Sequence, residues 1–422
     1  MRRYDDITQN LDWITIVTYL VLILFGWLNI YASTYEAELA ISIFDLGSNS
    51  GKQLLFIGLC IPIIISIMIL DFRFFDGGAW VFYAISIITL IAVLLLARDI
   101  NGASSWFEIF GMRFQPSELA KFTTALFLAK VMSGESFKSG KLEEIGKAFL
   151  IFFTPMVLII LQKDAGTALV FLGFLLVLYR EGMSPAPLII GILAIILSAL
   201  SILLPKIDLL IGVGVLALVI IFFFRKSMKW IFITVLSAGL LIGFVYSVDY
   251  VMTDVLKEHQ RDRILLVFNP NSDPLGKGWN ITQSKIAIGS GGFMGKGYLK
   301  GTQTKFDFVP EQSTDFIFCT IGEEHGFIGS IFVISVFVFL ILRIIALAER
   351  QKFRFARIYG YSVASIFLVH FMINIGMTMG LLPVIGIPLP FFSYGGSSLL
   401  SFTILLFIFL KMDAHRNQVL DR

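Results

Sequence analysis

The residues best suited to chemistry in this 422-residue chain fall in one run, GSGGFMGKGYLKGTQTKFDFVPEQSTDFIFCTIGEE, from Gly289 to Glu324. Gly289, Gly291, Gly292 and Gly295 open it, Lys296, Lys300 and Lys305 follow, and then come Asp307, Glu311, Asp315, Glu323 and Glu324. From Asp315 the sequence turns apolar and stays so to Leu347. A carboxylate at such a border can take a proton from a hydroxyl at a membrane surface. Glu323 and Glu324 lie about 12 Å further along a helix, where an ionised group needs a partner or a wet cavity. Gly295-Lys296-Gly297 looks like part of a phosphate-binding loop, but Gly297 stands where Ser or Thr should bind magnesium and Ser290 replaces the first glycine. A glycine turn is the reading.

The elements that must position these residues are membrane helices. Hydrophobic residues make up 57% of the chain, charged ones only 15%, and mean hydropathy is +0.86; a soluble globular composition is excluded. Apolar blocks fall at 13–32, 53–70, 79–97, 118–133, 148–162, 167–179, 186–204, 208–224, 229–249, 315–347, 357–380 and 396–411. Their continuity predicts helices rather than the alternating strands of a barrel. The expectation is an all-α polytopic bundle, a single integral membrane domain over 1–422, with about twelve transmembrane helices and a large extracytoplasmic loop at 250–314. The 315–347 block exceeds one crossing, so it tilts or projects into the cytoplasm. The polar N-terminus has no cleavage site after its first span, which reads as a retained helix.

Cys60 and Cys319 both fall in apolar blocks, and the four histidines have no metal-ligand spacing. Nothing in the charge pattern points to nucleic acid. The basic residues of the short loops (Arg2, Arg73, Lys141, Arg180, Lys226, Arg343, Arg357) fall on one side, which predicts both termini in the cytoplasm. The outer segments also carry lysines, Lys285 and Lys296 among them, which either are solvated or face an anionic ligand.

Smaller features have bland readings beside functional ones. Glu118 and Lys121 can pair across one helical turn, yet ionisable groups inside a span are functional candidates. Asp164 is placed to cap the helix that follows it. Pro383 to Pro390, followed by Ser393-Tyr394-Gly395-Gly396-Ser397, cannot continue a helix, and irregular backbone at that depth must be covered by protein or line a cavity. His325 and His370 read as packed span residues.

Four blocks in order resemble the SEDS (shape, elongation, division and sporulation) family: Arg113 to Lys121; Asp273 to Gly276 with Gln283 to Gly292; Phe308 to Glu311 with Thr314 to Phe318; and Pro383 to Ser397. Lys300-Gly301-Thr302-Gln303 is more typical of the elongation branch than of the division branch. The resemblance implies a peptidoglycan glycosyltransferase that polymerises lipid II, serving as donor and acceptor, at the outer face of the bacterial plasma membrane. It implies a ten-helix core, which makes 208–249 an inserted helical hairpin. It assigns the essential acid to Asp315, marks Asp307 as a second, and marks Lys121. Arg113, Glu118, Lys285, Lys296, Glu311, Glu324 and Ser393 complete the candidate substrate-binding set.

Two departures from the family stand out: Ser313 where a His is common, and Lys163 where a Pro is usual. The implied partners are a class B penicillin-binding protein, whose transpeptidase cross-links the strands, and other membrane proteins of the elongation complex.

The implied reaction deprotonates a sugar hydroxyl as it attacks an anomeric carbon carrying a pyrophosphate. That needs a general base and positive charge for the leaving group, from Lys, Arg or a divalent cation such as Mg or Mn. Asp307, Glu311 and Asp315 could ligate such an ion. The competing class is a flippase for the lipid-linked precursor, which would distribute polar residues through the midplane; here they gather at the outer mouth. A scaffold for a cell-wall complex leaves the outer acids without a role.

Overall fold

The computed structural model describes residues 10–35, 42–96, 105–109, 112–135, 137, 141–256, 258–268, 278–305 and 308–416. Among them the chain is almost wholly helical. It runs through α1 (Trp13–Ser33), α2 (Asn49–Ile69), α3 (Phe72–Leu96), the antiparallel pair β1 (Phe107–Ile109) and β2 (Met112–Phe114), α4 (Pro116–Ser133), α5 (Leu142–Leu161), α6 (Ala165–Val170) and α7 (Phe174–Arg180). Then follow α8 (Ala186–Leu203), α9 (Lys206–Phe223), α10 (Met228–Tyr250), α11 (Glu258–Phe268), α12 (Trp279–Ser290), α13 (Ile317–Glu349), α14 (Arg354–Thr378) and α15 (Gly396–Ala414).

Ten helices in the described residues are long and apolar enough to cross a membrane. The protein is a multi-pass membrane protein. Two of the twelve expected spans take other forms. The 118–133 block is α4, an 18-residue helix that carries Glu118, Lys121 and Lys130, and the 167–179 block is α6 and α7, separated by a 3₁₀ turn over Phe171–Gly173. The segment 250–314, expected as a loop, contains a π-helical turn at Val251–Val255 together with α11 and α12. Hydropathy marks only apolar runs, so a polar helix such as α11 (EHQRDRILLVF) passes beneath it.

Two compact units result. One is Ser184–Trp279, which contains the expected 208–249 hairpin together with α8 and α11. Inside it α9 packs on α10, and Lys206 is ion-paired with Asp249. The other unit comprises the chain up to Met183 and from Asn280 onward. Its inner helices are α14 and α15, 72% and 83% buried, against 17% for α2. Within this unit α14 packs on α4 and α13, α15 on α2, and α13 on α1. Most side chains on α14 and α15 are therefore walled by protein rather than by lipid. One end of this unit is tied by ion pairs: Arg343 to Asp12, Arg350 to Asp413, and Arg357 to Glu181 at 3.0 Å.

The long 315–347 block was expected to be one helix that tilts or projects. It is instead two helical segments joined at Gly326, whose φ of 62° and ψ of −156° are open essentially to glycine alone. A break strands backbone groups on both sides, and in an apolar bundle each must find a partner. The glycine run supplies them. Phe327 N donates to Gly292 O (2.9 Å) and Ile328 N to Phe293 O (3.3 Å); Lys296 N and Gly297 N donate to the carbonyls of Glu323 (3.0 Å) and Glu324 (2.9 Å). A Cβ at Gly326 would also lie 2.3 Å from Gly295 N.

Gly326→Ala therefore combines a disfavoured conformation, costing about 1–3 kcal/mol, with a backbone clash. We expect a clearly lower melting temperature in detergent and faster hydrogen exchange at residues 292–304. An unchanged melting temperature would mean that the break is not needed.

Candidate functional site

Asp315 closes a turn that precedes α13. Thr314 N and Phe316 N both donate to Glu311 O at 3.2 Å, with Glu311 itself exposed at a φ of 54°. Phe316 holds the cap position of α13 and offers no side-chain hydrogen bond there. The turn is anchored from three sides. Gln312 Nε2 donates to Ser33 O (2.7 Å), Asn49 Nδ2 donates to Ser313 Oγ (3.2 Å), and Tyr394 N donates to Ser313 O (2.9 Å). Ser313, which stands where the family commonly has His, is thus a tether.

Behind the acid runs the irregular Pro383–Pro390 segment. A Cβ at Gly386, whose φ is 75°, would come within 3.1 Å of Asp315 Oδ2, so the carboxylate lies over this segment and glycine allows the approach. Asn374 on α14 joins the two pieces: its Nδ2 donates to Asp315 O (2.8 Å) and to Ile387 O (2.7 Å). Both partners are carbonyls, which only accept, so the amide orientation is fixed by its surroundings. Sequence reasoning missed Asn374; a lone amide within an apolar span was the signal available.

Lys121 is fully buried on α4. Its Nζ lies 2.8 Å from both oxygens of Glu118, with the directed hydrogen bond going to Oε1. Two further contacts complete the amine's surroundings, His370 Nε2 at 3.0 Å and the Phe402 ring, whose centroid is 4.5 Å away. Glu118 is held in turn by Ser401, whose Oγ donates to its main-chain carbonyl at 2.6 Å.

Asp164 caps α6, accepting from Thr167 N at 3.0 Å, and also accepts from Gln115 Nε2 at 2.8 Å. It therefore links the start of α6 to the start of α4. Lys163 before it has a φ of 65°, which the proline usual in the family could not adopt. Gly166, on the first turn of α6, abuts Ile385. Arg113 lies on β2 opposite Glu108. Ser393 is buried, and its Oγ accepts from Leu389 N at 2.9 Å, tying the irregular segment back on itself.

Glu323 and Glu324 form a separate cluster. Glu323 accepts from Lys296 Nζ (2.6 Å), from the amides of Thr302, Gln303 and Thr304 (2.7, 2.8 and 3.0 Å), and from both threonine hydroxyls. Lys296 thus folds back on an acid of its own chain, and the amides of Lys296 and Gly297 are spent on the broken helix rather than on a phosphate. Glu324 is buried and accepts from Gly301 N at 3.4 Å. Burial, then the charge of Glu324, pushes the Tyr298 phenol up to about 12, so it stays a donor to Leu28 O at 3.1 Å. Lys285 is exposed on α12, its chain lying along Gly380.

The structure brings Asp315, Glu118 and Lys121 onto elements linked through α14, and it groups Lys296 and Glu324 separately. Asp307 falls outside the described residues. Among the described residues no three His, Cys, Asp or Glu side chains converge as metal ligands. An apolar groove lined by Pro62, Ile67, Phe75, Phe122 and Ile408 exists, but Pro62 is about 20 Å along α2 from Asn49 by helical rise, away from the acid.

Removing one member of a buried ion pair leaves the other charge uncompensated, at about 3–5 kcal/mol. Lys121→Met is expected to lower thermal stability sharply. The double variant Lys121→Met with Glu118→Gln should recover most of the loss, and additive losses would show that the two groups are not coupled.

Comparison with known proteins points to one family. The FtsW/RodA/SpoVE family profile, described as cell cycle protein, matches residues 12–210 and 186–418. The peptidoglycan glycosyltransferase RodA of Treponema pallidum (strain Nichols) is 32% identical, over 97% of this chain and 98% of the relative. The peptidoglycan glycosyltransferase MrdB of Escherichia coli (strain K12) is 33% identical over 82% and 80%. A chain from a solved peptidoglycan synthase complex that coordinates polymerization and crosslinking superposes with a TM-score of 0.69 at 26% identity, covering 97% and 99% of the two chains. The rod shape determining protein RodA of Thermus thermophilus shares the fold, with a TM-score of 0.63 at 23% identity over 97% and 98%. This chain belongs to the FtsW/RodA/SpoVE family of cell cycle proteins.

Proposed function

We propose that the protein is a peptidoglycan glycosyltransferase of the elongation type, polymerising lipid II at the outer face of the bacterial plasma membrane with Asp315 as general base. The observation that carries this reading is the setting of Asp315. It stands where a tethered polar turn enters a membrane helix, its carboxylate over the Pro383–Pro390 segment. There a disaccharide can reach the acid while its polyprenyl chain remains in lipid.

In the reaction, Asp315 takes the proton of the acceptor sugar hydroxyl as that oxygen bonds to the donor's anomeric carbon. The bond from that carbon to the pyrophosphate oxygen breaks, and undecaprenyl pyrophosphate leaves with the electron pair. Lys285, exposed on α12, is a candidate for the leaving anion. The buried Lys121 acts on the site through its field and its hold on α14.

A class B penicillin-binding protein is the proposed partner; the likeness to a chain of a polymerising and crosslinking complex supports it. Both termini are proposed to be cytoplasmic, supported by the arginines Arg343, Arg350 and Arg357 grouped at one end of the bundle.

Asp315→Asn is the direct test, since a neutral amide keeps the size of the side chain and cannot accept the proton. Purified lipid II, with the solubilised protein and its partner, should give glycan polymer, and the variant should be slower by about 10²–10⁴-fold at matched stability. Retention of more than about a third of the wild-type rate, far above that range, would remove Asp315 from the mechanism. For orientation, a reporter fused after Lys229 should read cytoplasmic, and an external signal would reverse the assignment.

A further inference from the structure

The sequence reads His370 as a packed span residue, and its packing is real: the ring is buried and stands edge-on to Phe402, with centroids 4.8 Å apart. Its two nitrogens, however, face two different pieces of the site. Nε2 is 3.0 Å from Lys121 Nζ on α4, and Nδ1 is 3.1 Å from the main-chain oxygen of Pro388. The partners decide the protonation. A carbonyl oxygen only accepts, so Nδ1 carries the hydrogen. Lys121 is an ammonium donating to the Glu118 carboxylate, so Nε2 must offer its lone pair. The ring is neutral with its hydrogen on Nδ1.

His370 and Asn374 are one turn apart on α14, so their side chains leave the same face. Both reach the irregular segment, His370 at Pro388 and Asn374 at Ile387. Asn374 simultaneously holds the main chain of Asp315. From Glu118 the chain of contacts thus runs through Lys121, His370 and Pro388 into the segment that lies beneath the Asp315 carboxylate. Nothing in this chain requires His370 to meet substrate.

We infer that His370 is a positioning residue for the glycosyl transfer proposed above, and the inference rests on that activity. It registers the Pro383–Pro390 segment against the buried Lys121–Glu118 pair, and through that segment it sets where the Asp315 carboxylate stands. An apolar side chain of similar size fills the space but leaves a Lys121 proton and the Pro388 carbonyl unpaired. Glutamine, by contrast, carries an acceptor oxygen and a donor nitrogen at about the separation of the two ring nitrogens, and so can make both contacts.

The experiment compares His370→Leu and His370→Gln with the wild type, each purified with its partner and supplied with lipid II, at matched thermal stability. Misplacing a reacting group by about 1 Å can cost on the order of 10²-fold. We expect His370→Leu to lower kcat by roughly 10- to 100-fold with KM changed little, and His370→Gln to return most of that rate. If the leucine variant does not fold, His370→Met takes its place against glutamine. Wild-type kcat in the apolar variant, or an equal loss in the apolar and glutamine variants, would reduce His370 to packing and overturn the inference. A rise in KM alone would overturn it as well, because it would place His370 in substrate binding. Wild-type protein that forms no polymer at all would instead refute the activity itself, and the positioning role with it.

Discussion

The structure depends on one requirement: inside a lipid-facing bundle, backbone polar groups that leave a helix have to be satisfied by the protein itself. The break in α13 at Gly326 shows it most directly. Two amides beyond the break and two carbonyls before it would be orphaned, and the Gly292–Gly297 turn meets all four. Glu323, one turn earlier, draws in the next stretch by accepting three consecutive amides from Thr302 to Thr304. A polar loop that would otherwise be free in solvent is thereby stitched along a membrane helix. The same helix begins immediately after Asp315, so the stitching also fixes the far side of the site.

The near side is fixed by the same rule. The Pro383–Pro390 segment cannot make helix bonds, and its carbonyls at Ile387 and Pro388 are taken by Asn374 and His370. Leu389 N is taken by Ser393. Because Asn374 and His370 sit on α14, one of the most enclosed helices, the segment rests on protein rather than on lipid. A general base gains from such a setting, since its efficiency depends on where the carboxylate stands when the proton moves. The buried ion pair of Lys121 and Glu118 is a poor source of stability in itself. Its value lies in geometry, as it ties α4 to α14 through His370 and to α15 through the Phe402 ring.

Much of this was legible in the chain. The apolar blocks gave the spans because a helix in lipid must carry apolar side chains along its whole length, a local property that hydropathy reads directly. The polar run ending at Asp315, the capping role of Asp164 and the pairing of Glu118 with Lys121 were likewise local, each within about one helical turn. The glycines of 289–297 read as a turn from the residues beside them, and from Gly291 on a turn is what they form. Other features were not local. The single long helix expected over 315–347 is broken because Gly326 meets a turn more than twenty residues upstream. Helix α11 falls in a segment that reads as loop, because its side chains are polar.

What the sequence determined by itself was the order of spans, the border at which an acid meets a membrane helix, and the family whose motifs those residues carry. Tertiary structure alone decided the partners. Lys121 and His370 lie 249 positions apart, Asn374 and Asp315 59, and Gln115 and Asp164 49. A histidine within an apolar helix has the same local signature whether it fills space or bridges an ammonium and a carbonyl. Only the folded bundle brings the two together, because hydrogen bonds are decided by distances of about 3 Å in space, which spacing along the chain does not encode.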